Sequence, residues 1–311
     1  MQHWTRNTLF AAWLALAGCS PIALLNSLTP DTGYTQYTAL PYAGGPRQKL
    51  DLYQPLGCTT PVPVVVFFYG GSWQSGERAE YRFAAAALAE RGLLVVVPDY
   101  RLYPDVTYPG FLEDAARAVS WTFQHIAQYG GDPHQVYLMG HSAGAYNAAM
   151  LAYDRRWLVA EHLAPEQLAG FMGLAGPYHF LPIQDLDVQP VFHWPDTPPD
   201  TQPIMHVTST APRTLLITAE QDVVVNPARN SGALADALRR AGVPVELRRY
   251  SALNHATALG ALAWPLRGLA PVLEEITTFV AQATPDHASP RELVCADQNP
   301  GLQLSYRDST R

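Results

Sequence analysis

The 311-residue chain is 48% hydrophobic and only 15% charged, a composition that can bury a large core and excludes a disordered or fibrous protein. Its net charge is -7, and its lysines and arginines form no cluster. The sequence therefore gives no sign of binding to nucleic acid or of attraction to an anionic membrane surface. We expect a single folded domain, because no Gly/Ser-rich or charged linker interrupts the middle of the chain.

The first residues have the pattern of an export signal. Arg6 supplies a positive charge, and residues 9–17 form an apolar run that is too short to span a bilayer. The run leads into the tetrapeptide LAGC, which ends at Cys19 and resembles the lipobox of bacterial lipoproteins. This resemblance implies removal of residues 1–18, a lipid on the Cys19 thiol and, because Ser20 follows, the periplasmic face of the outer membrane in a Gram-negative cell. An ordinary cleavable signal is the alternative.

Residues 19–45 are rich in Pro, Thr and Gly, and this composition predicts a tether that leads into the domain. We expect the folded domain to span residues 46–284 and a C-terminal tail to span residues 285–311. Two further cysteines, Cys58 and Cys295, either form one disulfide between the tail and an early loop or remain two free thiols, since an exported chain permits both.

Strands and helices alternate after residue 45. The apolar runs predict strands at 49–53, 62–69, 93–98, 135–139, 169–174, 214–219 and 245–250. Helical spacing of apolar residues predicts helices at 81–91, 111–129, 142–153, 228–241 and 271–283. Such alternation implies right-handed crossovers, so we predict an α/β fold with a mostly parallel central sheet and helices on both of its faces.

Residues 178–212 form the least regular internal stretch, with many prolines and aromatic residues. Irregular segments of this length usually serve as a lid or a binding segment. We therefore predict that this insertion contributes to the substrate pocket, the alternative being a surface excursion without contact to a ligand.

The strongest chemical signal is the pentapeptide GHSAG, centred on Ser142. It follows a predicted strand and opens a predicted helix of small residues, which is the setting of a nucleophile elbow. Such a turn raises the serine hydroxyl above the sheet, and its two glycines leave room for close packing of strand against helix. Ser142 is therefore the predicted nucleophile.

A serine hydroxyl needs a base at neutral pH, and the base needs a carboxylate to orient it. In this kind of fold the chain order is serine, acid, histidine. Asp222 follows the strand predicted at 214–219 and is the predicted acid, with Glu220 as the alternative. His255 follows the next strand and is the predicted base.

Acyl transfer also requires hydrogen-bond donors that face the oxyanion of the tetrahedral intermediate. The loop after the strand at 62–69 contains two glycines, which allow the backbone to approach a substrate closely. We predict that the amides of Gly71, Ser72 and Ala143 form this oxyanion hole. Trp73 and Tyr69, from the same loop, are predicted to contact the substrate.

Together these motifs resemble the hormone-sensitive-lipase-like, feruloyl-esterase-like and arylformamidase-like branch of the α/β-hydrolases. The resemblance runs from about residue 48 to 280 and rests on LDLYQP (50–55), GGSW (70–73), DYRLYP (99–104), LED (112–114) with Trp121, GGDP (130–133), the GHSAG elbow and DVVV (222–225). It implies ester hydrolysis through an acyl-serine, without a metal or another cofactor. One departure concerns Tyr69, which stands where those families usually have a histidine that supports the oxyanion loop.

The leading functional hypothesis is a carboxylesterase that acts on small acyl or aryl esters. An arylformamidase-like amide hydrolase is a second hypothesis, because the Gly-Gly-x-Trp loop occurs there as well. A catalytically silent binding protein of the cell envelope is a third, since a fold alone does not establish activity.

Overall fold

A computed structural model describes residues 21–282 of the chain. Eight strands form one sheet in the order β1-β2-β4-β3-β5-β6-β7-β8. β2 runs antiparallel to β1 and to β4, and all other neighbours are parallel. The bounds are Tyr34–Pro41 (β1), Lys49–Pro55 (β2), Val62–Phe68 (β3), Leu94–Pro98 (β4), Gly131–His141 (β5), Gly170–Leu174 (β6), Thr214–Ala219 (β7) and Val245–Tyr250 (β8). The predicted fold class is confirmed.

The described residues contain eight α-helices, and none of them is long and apolar enough to cross a membrane. Their bounds are Pro21–Ser27 (α1), Arg82–Ala89 (α2), Gly110–His125 (α3), Ala143–Tyr153 (α4), Arg155–Ala160 (α5), Ala233–Arg240 (α6), His255–Gly260 (α7) and Val272–Ala281 (α8). α4 is buried along its whole length and consists mostly of small and apolar residues. A helix that is apolar on all sides belongs in the interior, so α4 packs directly against the central strands.

The prediction of a tether is wrong for residues 21–45. Residues 21–27 form α1, which packs against α2 and the turn before it, and residues 34–41 form β1 on the sheet edge. β1 buries little of its own surface. Because such an edge strand depends on pairing with β2 more than on apolar side chains of its own, its composition resembles that of a loop.

Three other differences concern helices, and the first is that α5 was not predicted. The stretch predicted as one helix at 228–241 begins with a π-helical turn, Ala228–Gly232, before α6 starts. The short helix α7 was not predicted, since a helix of this length depends on capping by Asn254, whose side chain accepts a hydrogen bond from the Thr257 amide, more than on apolar periodicity.

Close packing at the centre of the sheet brings β5 against α4. An added Cβ at Gly144 would lie 2.1 Å from the Phe68 carbonyl oxygen, and one at Gly140 would lie 2.3 Å from the Gly144 carbonyl oxygen. Only glycine fits at these two positions. The carboxyl ends of β5, β7 and β8 lie along one rim of the parallel sheet, and the predicted catalytic side chains follow these three strands.

Candidate active site

Ser142 occupies the sharp turn between β5 and α4. Its backbone has φ 53° and ψ -126°, a strained conformation for a residue other than glycine. The Ser142 amide donates to the Leu174 carbonyl in the neighbouring strand β6 at 3.0 Å, which holds the turn in place. Gly70 lies so close that a Cβ there would stand 2.9 Å from the Ser142 Cβ. The elbow is thus formed by backbone contacts on both sides.

The three predicted side chains meet in one line of hydrogen bonds. The Ser142 Oγ lies 2.8 Å from His255 Nε2, and His255 Nδ1 lies 2.8 Å from Asp222 Oδ2. For a neutral imidazole, this arrangement has Nδ1–H donating to the carboxylate and Nε2 accepting from the serine hydroxyl. His255 is the first residue of α7, and Asp222 follows β7.

The Asp222 carboxylate is stabilised in its charged form. Burial opposes its ionisation, but hydrogen bonds from His255 and from the amides of Val225 and Val224 together lower its pKa below the usual value. Its side chain is only 1% exposed. Glu220, the alternative acid, is exposed, and no hydrogen bond or ion pair within residues 21–282 joins it to His255. The geometry therefore favours Asp222.

The amides predicted to form the oxyanion hole are free to donate. Within residues 21–282, the amides of Gly71, Ser72 and Ala143 make no hydrogen bond. Ser72 and Ala143 line the same pocket as Ser142, whereas Gly71 does not. Gly71 and Ser72 have φ values of 118° and 52°, a backbone conformation that glycine adopts readily and that is strained at Ser72.

The structure places Tyr69 under this loop instead of in the substrate pocket, which corrects its predicted contact with the substrate. Its ring is fully buried between Tyr81 and Tyr100, with centroids 5.0 Å and 4.9 Å away. Its hydroxyl donates to Asp99 at 2.7 Å and accepts from Arg47 at 2.9 Å. Tyr69 thus supports the loop at the position where the related families have histidine.

We expect Tyr69→Phe to lower the free energy of unfolding by about 1–2 kcal/mol, because it removes hydrogen bonds to a buried carboxylate and to a guanidinium. The aromatic stack remains, so ester turnover should change less than about threefold. Thermal unfolding and initial rates measure the two effects, with Tyr37→Phe at the sheet edge as the control. A large loss of turnover with unchanged stability would contradict a purely supporting role.

Trp73 forms one wall of the pocket, as its predicted substrate contact requires. Its indole N–H donates to Asn147 Oδ1 at 2.9 Å, and its ring packs edge-on against Phe192. The pocket has a cavity volume of about 180 Å³ beside Ser142. The irregular segment predicted to contribute to the pocket supplies Phe180, Pro182, Ile183, Gln184, Asp185 and Val188.

His141 is a site residue that sequence reasoning missed. It is buried, and its Nε2 lies 2.9 Å from the main-chain oxygen of His255, which is 114 positions away in the chain. This bond holds the base beside the nucleophile. Burial, and then the neighbouring His255, lower the pKa of His141 to about 3. No local pattern could have revealed a partner so distant in sequence.

The buried neutral His141 predicts a specific acid sensitivity. Between pH 6.5 and about 3 the unfolded state binds a proton that folded His141 does not. Stability therefore falls as the pH falls through this window, by at most about 1.4 kcal/mol per pH unit. The ionised Asp222 carboxylate also stabilises the folded state, and this stabilisation is lost only when the pH falls below the unfolded pKa of that carboxyl.

We expect His141→Gln to flatten the pH dependence of stability above pH 5, because glutamine can donate to the His255 carbonyl without titrating. Chemical denaturation at intervals from pH 5 to 7.5 measures the slope, with His134→Gln at an exposed position as the control. An unchanged slope in the His141 variant would assign the acid sensitivity to other groups.

Several predicted features lie outside the described residues: the signal at 1–18, the lipid site Cys19, the tail and Cys295. Cys58 follows β2 and is disulfide-bonded. Its pairing with Cys295 stays a prediction, as does lipidation of Cys19.

The chain has the α/β-hydrolase fold, and Ser142, His255 and Asp222 have the geometry of a serine-hydrolase triad. The chain belongs to the prolyl oligopeptidase family, whose sequence profile matches residues 112–267, half of its 311 residues. The BD-FAE profile matches residues 50–167, which confirms the expected feruloyl-esterase-like resemblance. The two matched segments together include the elbow, the oxyanion loop, Asp222 and His255.

The chain is also similar to individual proteins. A probable isoprenylcysteine alpha-carbonyl methylesterase of Oryza sativa subsp. japonica is 31% identical over 79% of this chain and 62% of its own length. A kynurenine formamidase of Salmo salar is 33% identical over 46% of this chain and 47% of its own. Esterase B from Lactobacillus rhamnosis, in a crystal structure with a tributyrin phosphonate inhibitor, has the same fold with a TM-score of 0.72, 20% identity and coverage of 90% and 95%. The chain spans 31% and 62% of the length of the first two curated relatives.

Proposed function

We propose that the protein is a carboxylesterase that cleaves small esters through an acyl-serine intermediate. The observation that carries this proposal is the unbroken line of hydrogen bonds from Ser142 through His255 to Asp222, which opens into a pocket beside free backbone amides. The esterases among the related proteins support it.

In the proposed mechanism the Ser142 oxygen attacks the ester carbonyl carbon while its proton moves to His255 Nε2. Asp222 stabilises the imidazolium that forms. The oxyanion accepts hydrogen bonds from the amides of Ser72 and Ala143, with Gly71 beside them. The intermediate then collapses, and the alcohol leaves with the proton from Nε2. Water loses a proton to the same nitrogen, attacks the acyl-serine and releases the acid, which restores the Ser142 hydroxyl.

The pocket supports a short or aromatic substrate group. Trp73, Phe180, Ile183 and Val188 supply apolar walls, and the cavity volume is about 180 Å³. Apolar walls with a few placed polar groups are typical of small-molecule sites. We therefore expect turnover of acetyl, butyryl and simple aryl esters, with a decline for long acyl chains.

A fluorophosphonate probe tests the proposal, because it reacts with a serine only when the base and the oxyanion hole are assembled. We expect labelling of folded protein at Ser142, located by peptide mass spectrometry, together with hydrolysis of p-nitrophenyl acetate and butyrate. An acyl-length series then measures the decline. Folded protein that is neither labelled nor active on these esters would instead be the silent binding protein of the third hypothesis.

Amide hydrolysis is a second candidate, favoured by the kynurenine formamidase relative. The same triad can cleave a formamide, whose carbonyl is small enough for this pocket. Comparison of kcat/KM for N-formylkynurenine and phenyl acetate separates the two. We expect the ester to be preferred, and a preference for the formamide would reverse the assignment.

We also propose that the protein is exported and held at the outer membrane by a lipid on Cys19. Support comes from the tetrapeptide LAGC after a short apolar run. Expression of the full chain in a Gram-negative host, followed by membrane fractionation and mass spectrometry of the N-terminal peptide, tests this. Release of an unlipidated form by Cys19→Ser supports the anchor, whereas unchanged fractionation argues against it.

A further inference from the structure

One cation lines the pocket that contains the nucleophile. Among the lining residues of the described chain, only Arg229 carries a positive charge. Most of the other walls are apolar, so a half-buried guanidinium in this place is costly unless something accepts its hydrogen bonds. No carboxylate within residues 21–282 lies within ion-pair distance of Arg229, although most other arginines there have such a partner.

The local structure holds Arg229 in position. It lies in the π-helical turn Ala228–Gly232, in which the Gly232 amide donates to the Pro227 carbonyl at 2.9 Å. The Arg229 amide donates to Asn226 Oδ1 at 2.9 Å, and its guanidinium donates to the Leu181 carbonyl of the insertion. Such π turns often occur at functional sites, because they widen the helix and redirect its side chains.

The next residue, Asn230, ties the π-helical turn to the start of the insertion. Asn230 is buried, and its Oδ1 accepts hydrogen bonds from the amides of Tyr178 and His179 at 2.8 Å and 2.9 Å. The π turn and the start of the insertion are therefore one connected unit. The backbone amide and the guanidinium of Arg229 are both hydrogen-bonded. The guanidinium is therefore preorganised and would lose little freedom when it binds a ligand.

The one acidic lining residue does not neutralise this cation. Asp185 is exposed, and its Oδ1 accepts a hydrogen bond from the Asp187 amide at 2.9 Å, so it caps its own turn at the pocket edge. Water screens an exposed charge far more than a half-buried one. The pocket thus combines apolar walls, a nucleophile and one fixed cation without an ion-pair partner among the described residues.

We propose that Arg229 selects esters that carry a free carboxylate. The enzyme would then prefer such an acidic ester to a neutral ester of equal length. A guanidinium binds a carboxylate through two parallel hydrogen bonds, a geometry that lysine or an amide cannot reproduce. This inference rests on the proposed function, because it names the substrate class of the same site.

The test compares matched ester pairs that differ in the free carboxylate. Monoethyl glutarate against ethyl pentanoate places the carboxylate on the acyl half, and O-butyryl glycolate against propyl butyrate places it on the alcohol half. Proton release measures kcat/KM for each. We expect the wild type to prefer the carboxylate-bearing ester of one pair by roughly 10- to 100-fold in kcat/KM. The pair that shows this preference identifies which half of the ester faces Arg229.

Arg229→Gln should abolish this preference, so that kcat/KM for the acidic ester falls to about the value for the neutral ester, mainly through a higher KM for the acidic ester. Arg229→Lys should restore only part of it, since lysine keeps the charge without the planar pair of donors. Arg240→Gln, an equal charge change at an exposed position near the end of α6, is the control and should change neither rate.

The two proposals fail in different ways. Wild-type protein that hydrolyses no ester in either pair contradicts the proposed function. Wild-type protein that hydrolyses neutral esters but shows no preference for an acidic one contradicts only the role of Arg229, and this measurement requires no variant to fold. Equal loss of both rates in Arg229→Gln, with an unchanged melting temperature, would assign Arg229 to support of the insertion.

Discussion

Ser142→Ala is expected to lower kcat for p-nitrophenyl butyrate by about 10⁴- to 10⁶-fold, because it removes the atom that forms the acyl-enzyme. The elbow itself should survive. Its shape depends on the Ser142 amide bond to Leu174 and on the close approach of Gly70, neither of which involves the hydroxyl. We therefore expect the free energy of unfolding to change by less than about 1 kcal/mol.

Initial rates, thermal unfolding and fluorophosphonate labelling on the same preparation check this result. Ser251→Ala, at an exposed position, is the matched control and should retain full activity and labelling. Substantial turnover in the Ser142 variant, after removal of contaminating host esterases, would mean that another group attacks the ester.

Asp222→Asn is expected to lower kcat by about 10⁴-fold through the tautomer of the base. The amides of Val224 and Val225 both donate to Asp222 Oδ1. An asparagine must keep its oxygen at this position, so its NH₂ group would face His255 Nδ1. That nitrogen would then have to accept, which places the imidazole proton on Nε2. His255 could no longer take the proton from Ser142.

Glu220→Gln is the control, because it removes the nearby exposed carboxylate that was the alternative acid from sequence. Its kcat should stay within about twofold of the wild type. A pH–rate profile distinguishes a tautomer effect from unfolding, since Asp222→Asn should regain activity at high pH if hydroxide replaces the base. An equal loss in both variants would show that the two carboxylates act together.

The sequence by itself determined the alternation of strands and helices and the setting of Ser142. These signals are local: a continuous apolar run indicates a strand buried on both faces, and GHSAG needs only a few neighbouring residues to form its turn. The chain order of serine, acid and histidine also follows from the sequence. Because the strands are parallel, residues that follow β5, β7 and β8 reach the same rim of the sheet.

Only the tertiary structure decided which carboxylate meets His255, what Tyr69 does and that residues 34–41 complete the sheet. Asp222 and Glu220 are two positions apart, and the turn after β7 places only one of them against the imidazole. Tyr69 is buried by Tyr81 and Tyr100. The role proposed for Arg229 depends on its place in the pocket wall and on the lack of a carboxylate within ion-pair distance in the described chain. Each of these facts depends on contacts between distant segments, which local patterns of residues do not encode.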